Sequence, residues 1–284
     1  MKHLISISDI KRKDIELIFK TTDKLKKVKK PLLKNKILAM IFEKPSTRTR
    51  VSFEVAMLHL GGHAIYLNQN DIQLSKGESI ADTARVLSLY CDVIMARVFS
   101  HETISELAKH SSVPVINGLS ELEHPCQALA DAYTIMKSKG LKGKIVFLGD
   151  GSNNTFQSLI RVCHMFGMEI IVSCPPNYKP KIKGGYKIVE NPKDAVMGTD
   201  VIYTDTFVSM GEESEVKQRL HDLRGYQLNS SLVKLAKNPI VMHPLPAHRG
   251  VEITSDVMDG KNSVIFQQAE NRLHVQKALL YLLL

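Results

Sequence analysis

Short apolar runs alternate with helical repeats along almost the whole chain, and this alternation limits the folds open to it. Runs at 37–42, 63–67, 92–97, 113–117, 144–149, 169–173, 200–204 and 239–243 read as strands. The first, Ile37-Leu38-Ala39-Met40-Ile41-Phe42, has no polar residue and reads as a buried strand. Helical periodicity falls between the strands, at about 49–60, 79–90, 101–110, 154–166 and 213–221, with further helices starting near Ser8 and at His124. Such alternation builds parallel sheets with helices on both faces. At 284 residues the chain is comfortable for two such domains, and the polar, Gly-containing stretch at 138–143 puts the junction near 136–143. A last helix is expected from about Glu270, docking by a leucine face through the Leu273, Lys277 and Leu280 repeat.

Hydrophobic residues at 44% and charged residues at 24% fit a soluble globular protein with a sizeable core. No apolar run approaches a bilayer span, and the first residues lack a signal-peptide core, so a cytoplasmic protein without membrane attachment is expected. The cysteines at 91, 126, 163 and 174 form no C-x-x-C pair, which argues for buried thiols over zinc ligands or disulfides. Much of the +9 net charge lies between Lys24 and Lys36, a solvated face and loop by pattern. No nucleic-acid-binding motif accompanies it, whereas a positive field suits small anionic substrates.

In open α/β sheets ligands gather beyond the carboxyl ends of strands. Ser46-Thr47-Arg48-Thr49-Arg50 stands at such a point, between the first strand and a helix patterned by Phe53, Met57 and Leu60. The free N–H groups of that helix start, with hydroxyls and guanidiniums around them, suit a phosphate. A plain N-cap would explain one hydroxyl but neither arginine. A polar loop at 68–78 leads into the next helix and reads either as a solvated connection or as reaching a ligand or a neighbouring subunit. Arg97 ends the run Val93-Ile94-Met95-Ala96, where it is either a surface arginine or one polarising a ligand oxygen.

His124-Pro125-Cys126-Gln127 reads as a helix start with His124 as cap and Gln127 on the same face; a Cys126–His124 nucleophilic pair is the other reading. Gly149-Asp150-Gly151-Ser152-Asn153-Asn154 has the outline of a dinucleotide loop, with Asn154 at the third glycine position. Asp205 follows a strand directly, where it could hold an ammonium group or form a turn. In His243-Pro244-Leu245-Pro246-Ala247-His248-Arg249-Gly250, two prolines fix the backbone and leave carbonyls facing a ligand.

Together these segments resemble the aspartate/ornithine carbamoyltransferase family. The resemblance rests on S-T-R-T-R at 46–50, H-P-C-Q at 124–127, D-x-x-x-S-M-G at 205–211, H-P-L-P-A-H-R-G at 243–250 and Glu270-Asn271-Arg272, and so spans essentially the whole chain. The S-M-G segment is similar to the ornithine branch. The resemblance implies two doubly wound α/β domains with the active site in the cleft between them. Residues 1–138 would bind carbamoyl phosphate, with the helix at 268–284 packed back on them, and 139–267 would bind ornithine. It implies carbamoyl transfer from carbamoyl phosphate to the δ-amine of L-ornithine, giving citrulline and phosphate, without metal or organic cofactor. Another amine, such as putrescine or an acylated ornithine, is the alternative acceptor.

By position the resemblance implies that Ser46, Thr47, Arg48 and Thr49 cradle the phosphate, and that Arg97 bridges phosphate and carbonyl oxygen. His124 would donate to that oxygen, Gln127 and the Leu245 carbonyl would hold the carbamoyl NH₂, and Arg272 would be a further ligand. The Leu245–Pro246 bond is a candidate cis peptide. Gln73 would be lent to an adjacent subunit, so a homo-oligomer of at least a trimer is expected. Asn154, Asp205, Ser209 and Met210 would hold ornithine. Two positions depart from the ornithine branch: Pro244 stands where a cysteine is usual, and Phe207 where a tryptophan is frequent.

Overall fold

A computed structural model of the chain describes residues 1–209 and 212–284. It divides into two compact units, Met1–Leu129 with Asn271–Leu284, and Ala130–Glu270. Each is an α/β unit on a wholly parallel sheet, as expected.

The first unit runs α1 (Arg12–Leu25), β1 (Ile37–Phe42), α2 (Thr47–His59), β2 (His63–Asn68), α3 (Ile80–Tyr90), β3 (Val93–Arg97), α4 (His101–His110) and β4 (Val115–Leu119). Its strand order is β2-β1-β3-β4. Strand β3 is buried at every position, its apolar run Val93–Ala96 and the closing Arg97 alike, and Met40 of β1 lies between Tyr66 and Met95 in register. The chain proceeds from β1 outward to β2, then returns to β3 on the other side of β1. The switch point between β1 and β3 therefore sets the start of α2 beside Arg97.

The second unit contains β5 (Lys144–Leu148), α6 (Asn154–Met165), β6 (Glu169–Ser173), β7 (Lys187–Ile188), α7 (Pro192–Val196), β8 (Val201–Thr204), α8 (Val216–Leu223), α9 (Ser230–Leu235), β9 (Ile240–Met242) and α10 (Ser255–Met258). The order β7-β6-β5-β8-β9 places its switch point between β5 and β8, so the loops after 148 and 204 are neighbours. Val146, Leu148, Ile202 and Val241 form the middle of its core.

Helices α5 (Pro125–Lys139) and α11 (Ile265–Leu283) contribute residues to both units. The last helix starts earlier than its sequence suggests, and of the expected Leu273, Lys277 and Leu280 repeat the last two are fully buried. Leu273 is only half-buried, whereas Arg272, His274, Gln276 and Lys277 are buried with the apolar residues between them. Lys277 is fully buried because its ammonium closes the end of α1, donating to the carbonyls of Lys26 at 3.2 Å and Val28 at 2.9 Å. The short elements β7, α7, α9 and α10 escaped the pattern because two to six residues cannot show a period. All four cysteines are free and buried, and among the described residues no helix is long and apolar enough to cross a membrane.

One buried chain of bonds orders the middle of the second unit. Tyr203 donates to Asp131 at 2.7 Å, Gln268 donates to the other oxygen of Asp131 at 2.7 Å, and Gln268 accepts from the His243 N–H at 2.9 Å. Replacing Tyr203 with Phe removes a bond to a charged group, and is expected to cost about 1.5–3 kcal/mol in urea unfolding. An unchanged midpoint and slope would contradict this role.

Candidate functional site

Two groups of side chains gather at the switch points, one in each unit. In the first unit, Ser46 caps α2, its hydroxyl accepting from the Thr49 N–H at 3.3 Å. Thr49 is buried, Ser46 and Arg48 are half-buried and Thr47 is exposed. Arg97, at the end of β3, is buried. Burial and the neighbouring Arg272 and Arg48 guanidiniums bring it down to about 10. Arg272, also buried, donates to Gln127 Oε1 and to Thr49 Oγ1, the latter at 3.3 Å. Thus Arg48 and Arg272 come from two other elements into the field of Arg97.

His124 joins them. Its carbonyl starts α5, accepting from the N–H groups of Gln127 and Ala128, both at 3.1 Å. Burial, then Arg272 and Arg97, hold its imidazole well below the usual histidine range, so it is neutral at pH 7. A neutral ring keeps one N–H to donate.

The arginine pair of the S-T-R-T-R segment separates. Arg50 bonds Glu54 at 2.9 Å and stacks at 3.8 Å over the Tyr66 ring, so of the two only Arg48 acts on Arg97. Cys126 donates to the Asn117 carbonyl at 3.4 Å, and burial pushes its thiol up to about 12. A thiol kept protonated is a poor nucleophile, which removes the Cys126–His124 reading. Gln73 is exposed, in a one-turn 3₁₀ segment after β2.

In the second unit, Asn153 caps α6, accepting from the N–H groups of Thr155 at 2.9 Å and Phe156 at 3.2 Å. Asn154 next to it is half-buried. Asp205 is buried directly after β8 and accepts from the Thr206 N–H at 2.7 Å. Burial raises its carboxyl to about 6 against the opposing effect of His243. Ser209 is half-buried. Met210 and Gly211 lie outside the described residues.

His243 and Glu252 form a wholly buried pair at 3.1 Å, and His243 Nδ1 accepts from the Leu245 N–H at 2.9 Å. Nδ1 therefore carries no proton, and Nε2–H faces Glu252. This pair braces Leu245, which has φ 61° and a cis bond to Pro246, as expected for that bond. Phe207 is buried, and a Cβ on Gly149 would come within 3.1 Å of its ring. Phe207, Ser209, Leu220, Pro246 and Val251 line a cavity of about 450 Å³ in this unit.

The loop at 149–154 spends its polar groups internally. Asp150 accepts from Ser152 N–H and Oγ and pairs with Arg219 at 2.8 Å, while a Cβ on Gly151 would sit 2.8 Å from the Tyr178 carbonyl. That loop is closed where a dinucleotide would need open N–H groups.

Comparison with known proteins identifies the family. The family models for the aspartate/ornithine carbamoyltransferase carbamoyl-P binding domain and Asp/Orn binding domain match residues 2–137 and 141–283. The chain belongs to the aspartate/ornithine carbamoyltransferase family. It is 52% identical to an ornithine carbamoyltransferase of Pyrococcus abyssi, covering 100% of this chain and 96% of the relative. The solved ornithine carbamoyltransferase of Pyrococcus furiosus is 50% identical, with a TM-score of 0.92 over 98% of this chain and 96% of that one. The anabolic enzyme of Campylobacter jejuni is 40% identical, with a TM-score of 0.94 over 100% and 99%.

Sequence reasoning missed Glu252, Glu212 and Arg219. Glu252 stands in a segment without periodicity, and Arg219 reads as one more cation on a polar helix, so neither carried a signal.

Asp205 supplies a pH test. Its folded pKa is raised, so its contribution to stability is full below the unfolded value and is lost as pH rises through about 6. The unfolding free energy of wild type relative to Asp205→Asn should therefore rise by up to about 3 kcal/mol as pH falls from about 7 to about 4. A pH-independent difference would contradict the burial of that carboxyl.

Proposed function

We infer that the protein is an ornithine carbamoyltransferase, moving the carbamoyl group of carbamoyl phosphate to the δ-amine of L-ornithine to give L-citrulline and phosphate. The observation that carries this reading is the group Arg48, Arg97 and Arg272 beside a neutral His124. Three crowded guanidiniums repel one another, and a phosphate dianion relieves that repulsion while accepting their forked N–H groups. The relatives named as ornithine carbamoyltransferases support the choice of acceptor.

In this reading Ser46, Thr47, Arg48 and Thr49 receive the phosphate, with Arg97 and Arg272 completing its charge match. Gln127 orients the carbamoyl NH₂. The lone pair of the δ-amine attacks the carbonyl carbon. Negative charge then develops on the carbonyl oxygen, where the His124 N–H and the Arg97 guanidinium stabilise it. The carbonyl re-forms as the C–O bond to phosphate breaks, and the departing phosphate takes both that bond's electron pair and the proton lost by the newly bonded nitrogen. A protonated His124 would repel the flanking arginines, so its low pKa keeps the donor in its working form.

On the acceptor side Asp205, Asn154, Ser209 and Met210 hold the amino-acid end. Asp205 is ionised above about pH 6, which suits an ammonium partner. Pro244 offers no titratable group, so ionisation of the δ-amine is left to the solvent and the rate should climb with pH toward the ordinary amine range, near 10. Exposed Gln73 fits a residue offered to a second copy, and we read the working form as a trimer or an assembly of trimers. The four free thiols suit a reducing cytoplasm. The name "anabolic" on a Pyrococcus furiosus relative points to arginine biosynthesis.

The test is product formation from carbamoyl phosphate with ornithine, aspartate and putrescine side by side. Citrulline is expected to dominate. His124→Ala and Arg97→Ala should each lower kcat by roughly 10²–10³-fold, while Arg48→Ala should chiefly raise the KM for carbamoyl phosphate. Wild-type protein that carbamoylates putrescine or aspartate but not ornithine would refute the assignment.

A further inference from the structure

Arg219 of α8 is a cation bound by several carboxylates, and no step above uses it. Its side chain is 10% exposed and its guanidinium reaches three carboxylates, one in the loop after β5 and two in the segment that leads into α8. Nη1 donates to Asp150 at 2.8 Å, Nη2 to Glu212 at 2.8 Å and Nε to Glu215 at 2.9 Å. The Tyr178 ring lies 5.4 Å from it, and Tyr178 in turn donates to Asp222 of the same helix at 3.0 Å.

Two of these carboxylates hold loops at the switch point. Asp150 accepts from Ser152 N–H at 2.9 Å and Ser152 Oγ at 2.7 Å, which shapes the turn leading to the Asn153 cap and to Asn154. Glu212 accepts from the Ser209 N–H at 2.8 Å, and its own N–H donates to the Ser209 carbonyl at 3.1 Å. The fork thus ties the loop after β5 to the segment after β8. Without the guanidinium, Asp150, Glu212 and Glu215 would repel one another and drive the loops apart. Lysine carries the same charge but cannot bond in three fixed directions.

We propose that Arg219 is a positioning residue for the amino-acid substrate, setting Asn154 through Asp150 and Ser209 through Glu212 in one fixed spacing. The proposal rests on the ornithine reading for its kinetic consequence, but the spacing itself can be measured without turnover.

The variants are Arg219→Gln, Arg219→Lys and, at a partly exposed carboxylate that leaves the Asp150 bond in place, Glu212→Ala. In Arg219→Gln the KM for ornithine should rise roughly tenfold or more, with the KM for carbamoyl phosphate within about twofold of wild type. Arg219→Lys should recover part of the loss, and Glu212→Ala should raise the ornithine KM by roughly threefold or more. Amide hydrogen exchange should quicken at 149–153 and 205–209 together in Arg219→Gln, while the first unit is unchanged. If Arg219→Gln does not fold, Glu212→Ala carries both readouts, with exchange quickening at 205–209. An ornithine KM that stays within about twofold, both KM values rising alike, or unchanged exchange in the two loops would overturn the proposal. Quickened exchange in a protein whose wild type makes no citrulline would uphold the positioning and count against the reaction instead.

Discussion

Crowding of like charge governs the first unit. A guanidinium taken out of water is costly, and two more within reach add repulsion to desolvation. Arg97 registers both effects, and His124 registers the same field by staying neutral. Each element of the unit serves this meeting. The buried strands β1 and β3 put the start of α2 beside Arg97, and α5 begins at His124. The last helix returns to bring Arg272, tied down by Lys277 at the end of α1. In the proposed reading a bound dianion would recover the stability lost to crowding, so affinity and electrostatic cost would have one origin.

The second unit gathers the opposite sign. Asp205 is held ionised near neutrality at a cost in burial, Glu252 is buried against His243, and Asp150, Glu212 and Glu215 share one arginine. Carboxylates suit a cationic amino acid as guanidiniums suit a phosphate. The same sheet logic places both groups, since each unit uses the switch point where neighbouring strands diverge in connection. Where the thiol usual in the ornithine branch is missing, Pro244 begins a turn braced by the His243–Glu252 pair, so the backbone there is fixed without the sulfur.

Much of this is legible in the chain. Strands such as 37–42 and 169–173 are marked by unbroken apolar runs, and Ser46 is marked as a cap by the helix pattern behind it. The tendency of ligands to gather beyond strand ends singles out Arg97 and Asp205 from the residue pattern alone. Partnership across distance is what a local pattern does not carry. Arg48 and Arg50 look alike in sequence, yet a glutamate four residues on and a tyrosine on the next strand take Arg50 away. Asn153 and Asn154 look alike, and only the turn decides which one caps. Arg219 and Glu252 matter through residues 69 and nine positions away, a relation no local period encodes. The last helix misleads for a related reason: its buried polar residues hide the start of the helix from a hydrophobic pattern.

Everything proposed for the first unit depends on the guanidiniums beside neutral His124 forming a dianion site. Calorimetric titration of carbamoyl phosphate into the protein without ornithine tests it most directly. One saturable site per chain is expected, weakened by added inorganic phosphate and lost in Arg48→Ala. Absence of binding, or binding indifferent both to phosphate and to Arg48→Ala, would contradict it.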